Sequence, residues 1–183
     1  MNKKIAMSLM SITAALLVMG GATYAAFSGQ ATLANNTFAS GNADLVISRT
    51  AADSGFASSV TGFTGSNLYP GYTENFNFWL NNNSSSDIAL NTIAKFVDVN
   101  TTFGNSELLQ DAMKVSFQCG ADAIAGPYSI NEWEAGQAPV SNNLAKGATT
   151  ACVMTVTLPT TADNSVAGAD VNFDVQFDAT QVL

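Results

Sequence analysis

Few side chains in this sequence could carry chemistry. Histidine is absent, and the two cysteines are Cys119 and Cys152. Without imidazole there can be no histidine-centred triad and no HExxH zinc motif. Carboxylates remain, in two close pairs: Glu132 with Glu134, and Asp174 with Asp178. Even spacing along a strand puts both members of a pair on one face, here read as the solvated one. No catalytic residue, no resident metal and no cofactor is therefore assigned. Leu158-Pro159-Thr160-Thr161-Ala162 is close to a sortase sorting signal, but Ala stands at its fifth position and no hydrophobic span with a basic tail comes after it. It reads as a strand turning at proline. Trp79, Trp133, Tyr69, Tyr72 and Tyr128 could stack on sugar rings. Packing between loops and sheet is the favoured reading of them.

The chain that must position these groups is acidic. Its formal net charge is −8, with Lys3, Lys4, Arg49, Lys95, Lys114 and Lys146 as its only cations. No basic patch is available for phosphate, which argues against nucleic acid as a partner, and anionic lipid would repel the chain. Lys3 and Lys4 open a short basic region, and Ile5 to Met19 is an apolar run succeeded by small residues. That is the pattern of a secretory signal peptide over residues 1–25, with Thr23 and Ala25 as small residues before the cut and Ala26 as the new N-terminus. Cleavage between Ala25 and Ala26 leaves about 158 residues, enough for one domain with a real core. It also removes two of the six cations. In an exported protein the two cysteines read as one disulfide, Cys119–Cys152.

Short alternating segments dominate the remainder of the chain. They run over Asp44–Arg49, Glu74–Leu80, Ile88–Val99, Lys114–Cys119, Cys152–Leu158 and Val171–Phe177. In the last, Val171, Phe173, Val175 and Phe177 alternate with polar residues and are expected to face inward. Asn105 to Met113 is the helix candidate, with Asn105 as cap. Asn81 to Asp87 reads as a polar turn outside the core, and Gly120 to Gly147 as surface loop with short strand pieces. Thr50 to Ser66 reads as loop or weak edge strand. The expected fold is all-β, an antiparallel β-sandwich.

Three separated stretches carry a family pattern. They are GGATYAAFSGQATLANNTFASGNADL from Gly20, LYPGYTENFNFWLNNNSSSDIAL from Leu68, and VAGADVNFDVQFDATQ from Val166. Together they resemble the TasA/camelysin family of secreted biofilm-matrix and surface-fibre proteins of bacteria. Ala121 to Lys146 matches nothing in it. The resemblance implies a jelly roll over residues 41–183 with a short helical insertion. It also implies export through a SipW-type signal peptidase and a subunit that polymerises with itself outside the cell, with other matrix components as further partners and no membrane attachment after cleavage. Camelysin relatives have been classed as metallopeptidases, a chemistry for which this chain lacks the usual imidazole ligands.

The segment 26–40 is expected to assemble the fibre, with Ala26 to about Thr37 as a donor strand completing a neighbour's sheet. Phe27, Ala31 and Leu33 share one face of it, and it has neither charge nor proline to keep it from pairing. A monomeric, lectin-like surface adhesin is the alternative, and a secreted peptidase a more distant one.

Overall fold

The computed structural model describes residues 42–66, 68–100 and 106–182. Signal cleavage at Ala25–Ala26 and the donor-strand residues Phe27, Ala31 and Leu33 lie outside the described residues. Eight strands succeed one another: β1 (Leu45–Ser48), β2 (Thr73–Asn82), β3 (Leu90–Asn100), β4 (Lys114–Cys119), β5 (Ala125–Ser129), β6 (Ala138–Leu144), β7 (Thr149–Thr157) and β8 (Asn172–Gln181). Two short helices interrupt them, α1 (Ser106–Ala112) and α2 (Ile130–Ala135).

The strands form two antiparallel sheets, one of order β1-β2-β7-β4-β5 and one of order β6-β3-β8. Alternation explains the layering. Phe78 and Leu80 of β2, Val115 and Phe117 of β4, Met154 and Val156 of β7, and Ala94 and Phe96 of β3 are all buried between the sheets, where one face of each strand meets the other sheet. Read around the sandwich, the order is 1-2-7-4-5-6-3-8. A jelly roll is a long antiparallel hairpin rolled up, with nested pairs 1·8, 2·7, 3·6 and 4·5. Three of these pairs are hydrogen-bonded here: β2 with β7, β3 with β6 and β4 with β5. The outermost pair, β1 with β8, is not made, because β1 lies against β2 instead.

Cys119 of β4 stands directly opposite Cys152 of β7 in the ladder. A disulfide joins them across 33 residues of chain, with both residues buried.

Three expectations need correction. The stretch 120–147 is not surface loop: it supplies β5, α2 and β6, and it buries Ile130, Trp133 and Val140 in the core. The sequence holds one cue, the capping box at the start of α2. Ser129 Oγ accepts from the Glu132 backbone N–H, and the Glu132 carboxylate accepts from the Ser129 N–H. Glu132 and Glu134 therefore sit on a helix rather than on one strand face. The turn at 81–87 is not wholly outside the core either. Asn82 is 0% exposed and Ser84 3%. Asn82 Nδ2 donates to the carbonyls of Ile88 and Leu144, each at 2.8 Å, while its Oδ1 accepts from Ser84 N–H at 3.1 Å. One side chain thus ties the end of β2 to the start of β3 and to β6 in the facing sheet. A fully satisfied buried amide of this kind fixes geometry as well as adding stability. The helix expected over 105–113 is observed as Ser106–Ala112; Asn105 lies outside the described residues.

Candidate functional site: the open seam between the sheets

The missing 1·8 pair leaves a long gap on one side of the sandwich. β1 has only four residues and covers β2 only from Trp79 to Asn82. From Thr73 to Phe78, β2 pairs with β7 on one side and has no strand on the other among the described residues. Facing it is β8, ten residues long, bonded to β3 along one edge and to no described strand along the other. Its inward residues Phe173, Val175 and Phe177 are only half-buried, although they pack on core rings. Phe173 stacks on Phe96 at 4.3 Å, and Phe177 lies 5.4 Å from Phe78 and 5.9 Å from Phe117. The outermost row of the core is in place, and nothing described covers it.

The segment after β1 borders the gap. Ala57 makes a two-bond bridge to Ile47, at 2.9 and 3.0 Å. The Arg49 guanidinium holds the next stretch as a strap, donating to the carbonyls of Thr61 and Gly62 and lying 3.9 Å from the centre of the Phe63 ring. Phe63 in turn packs on Phe76 at 4.7 Å. Among the described residues this strap makes no backbone hydrogen bond to β8. Between strap and strand lie two adjoining cavities. One, of about 670 Å³, runs from Ile47 and Arg49 to Val175 and Phe177, with Phe78 and Phe117 at its floor. The other, of about 610 Å³, continues past Phe173 to Tyr69, Leu109, Met113 and Val166 at the end of the sandwich. Backbone N–H and C=O groups on β8 that meet no described strand, beside an apolar floor, are what an added strand requires.

Several of the other sequence candidates are engaged structurally. The Glu132 carboxylate is held below its ordinary pKa, first by the Ser129 backbone N–H and hydroxyl and then by Lys114 at 3.5 Å. Asp178 is lowered by the Gln176 side chain and by Lys95, whose ammonium is 3.0 Å away. Trp133 is 1% exposed and its ring N–H donates to the Val115 carbonyl at 2.9 Å, so it cannot offer a face to a sugar. Tyr69 is 62% exposed, but its ring meets Tyr72 edge-on at 5.8 Å at the rim of the smaller cavity. Leu158 is buried, and Pro159 leads from it into a turn closed by Ala162 N–H on the Pro159 carbonyl. The alternation of β8 is plain in the sequence, but alternation tells which face is apolar and not whether the far edge is occupied. Sequence reasoning therefore misses the seam itself.

The family model described as camelysin metallo-endopeptidase matches residues 1–179. A search of curated proteins gave no match. The metal that such a description implies does not fit the residues described. No group of three or more His, Cys, Asp or Glu converges among them, and both cysteines are spent in the disulfide. Nor is any described helix long and apolar enough to cross a membrane.

Proposed function

This chain belongs to the camelysin family, and on that footing we propose that it is a secreted structural subunit that polymerises into extracellular or cell-surface fibres by donor-strand exchange. The observation that carries this reading is the strand position beside β8 that no described strand fills. The strand Ala26 to Thr37 of a second copy, with Phe27, Ala31 and Leu33 turned to the groove, has the length and pattern to occupy it. Seven residues from Phe27 to Leu33 span about 20 Å as a strand, comparable to the run from Val171, just before β8, to Phe177 within it.

Polarity supports an open polymer. Every strand pair in the sandwich is antiparallel, so a strand in the vacant position runs opposite to β8. The chain enters its own sandwich at Asn42 and Asp44, beside Ser84 and Ser85. Leu90 and Gln181 pair at that same end, whereas β8 starts opposite Asn100 at the other. An antiparallel donor therefore exits its host at the Asn172 end and continues into its own sandwich beyond it. Each subunit stacks head to tail on the next, and such a contact propagates instead of closing. A parallel donor would bring two like ends together and close a reciprocal dimer. Signal peptidase acts before assembly, since the arm is free only once the signal is cut. The acidic charge of the mature chain makes assembly sensitive to salt and to divalent cations.

Electron microscopy of the purified mature protein tests the reading. Filaments are expected from the intact mature chain, and deletion of Ala26–Leu33 should leave a folded, soluble monomer that forms none. Filaments of unchanged form after that deletion would refute it.

A further inference from the structure

The smaller cavity begins at Val171 to Phe173 and extends past the stretch of β8 that Phe27 to Leu33 can cover, toward Tyr69, Leu109, Met113 and Val166, and the occupant of that far part is a separate question. We propose that it receives Phe38 of the neighbouring subunit, which makes this pocket the anchor of the head-to-tail junction. The inference rests on the donor-strand reading and adds a specific contact to it.

Three observations place Phe38 there. The first is position along the fibre. The cavity sits where β8 begins, with Asn172 and Phe173 in its wall and Pro70 and Leu158 beside them, the end at which an antiparallel donor leaves its host. The second is reach. From Leu33 to Phe38 is five residues, at most about 17 Å, and from Phe38 to Asn42 four residues, at most about 14 Å. Phe38 thus falls in the short stretch between host groove and home sandwich. The third is chemistry. Between Leu33 and Leu45, Phe38 is the only large apolar side chain, amid Ala, Asn, Thr, Ser and Gly. The cavity is walled by Phe76, Leu109, Met113, Met154, Val156 and Val166, and its volume of about 610 Å³ admits a ring with its flanking backbone. No side chain of the arm is charged from Ala26 through Ala43, so it meets no repulsion from the acidic rim at Asp163. A buried aromatic anchor at the centre of such a contact carries a large share of its affinity.

The test uses the mature full chain and reads the critical concentration for filament assembly by sedimentation and light scattering. Phe38→Ala should raise it by at least about tenfold, the scale of a lost hot-spot side chain, and Phe38→Leu should restore most of the loss. Val166→Arg, which places a charge in the pocket, should act in the same direction. Combining it with Phe38→Ala should add little, because both remove one contact. Asn164→Arg, on the exposed rim, replaces it if Val166→Arg lowers the thermal stability of the monomer. Assembly of Phe38→Ala at the parent concentration overturns the proposal, as do arm and pocket effects that multiply. Deleting Ala26–Leu33 while keeping Phe38 separates the two ideas. If that deletion abolishes filaments and Phe38→Ala does nothing, the donor strand stands and the pocket has another occupant.

Discussion

The sandwich has two seams where its sheets meet, and they are finished differently. At the seam between β5 and β6 the chain plugs the gap itself. Helix α2 lies between the two strands in sequence, and Ile130 and Trp133 are 0% and 1% exposed. At the seam between β2 and β8, Phe173, Val175 and Phe177 stay half-buried beside a groove. Sequence distance explains the contrast. The closed seam joins strands separated by a single helix of six residues, for which loop closure costs little. The open seam would have to join the first strand of the sandwich to the last. Among the described residues no short connecting segment joins them to act as a plug, and on the proposed reading the arm of a neighbouring subunit finishes this side.

The largest effect expected in the monomer is at the closed seam. Trp133→Ala should cost about 3–5 kcal/mol, because it empties a well-packed site and orphans the Val115 carbonyl. Phe173→Ala at the open seam should cost about 1–2 kcal/mol, since its side chain is only half removed from water. Denaturant unfolding of assembly-incompetent protein measures both, and equal losses would break the comparison. Next, replacing Cys119 and Cys152 together by Ala should cost about 3–4 kcal/mol on the chain-entropy account of a loop of this length. That loop contains β5, α2 and β6, so the bond braces the closed side alone; groove mutants should behave alike with or without it. Asn82→Ala should cost about 1–3 kcal/mol by leaving buried carbonyls at Ile88 and Leu144 unpaired. The smallest effect belongs to the cap of α2. The folded state lowers the pKa of Glu132 from its ordinary 4.5. The stability the carboxylate adds is therefore complete above pH 4.5 and is lost as pH falls through the lowered value. Glu132→Gln should be slightly less stable than the parent at neutral pH, and the difference should vanish in acid. A difference that persists at low pH would detach the cap from the charge.

Legibility in the sequence divides along the same line. Strands with clean alternation, such as Lys114–Cys119 and Val171–Phe177, are found where period two predicts them. The plug is not legible. A helix of six residues is too short to show a period, and Trp133 is driven inward by its neighbours rather than by local pattern. Only the Ser129–Glu132 capping box marks it. Asn82 escapes notice because a polar run is read as a whole, while burial selects single residues from it. The open seam is beyond reach for a different reason: it is a property of strand order, which no local stretch encodes.

The distribution of proline now takes on meaning for the dimensionality of growth. Two of the chain's four prolines, Pro127 and Pro139, lie in β5 and β6, the edge strands of the closed side. Each removes a backbone donor from an edge where another sheet might attach. β1 is blunted by being four residues long. Among the described strands the long proline-free edges that remain are β8 and Thr73–Phe78 of β2, which face each other across one groove and so act as one site. A molecule with several adhesive edges would mat into sheets or amorphous clumps, whereas one with a single adhesive site and a single arm can extend only as a line.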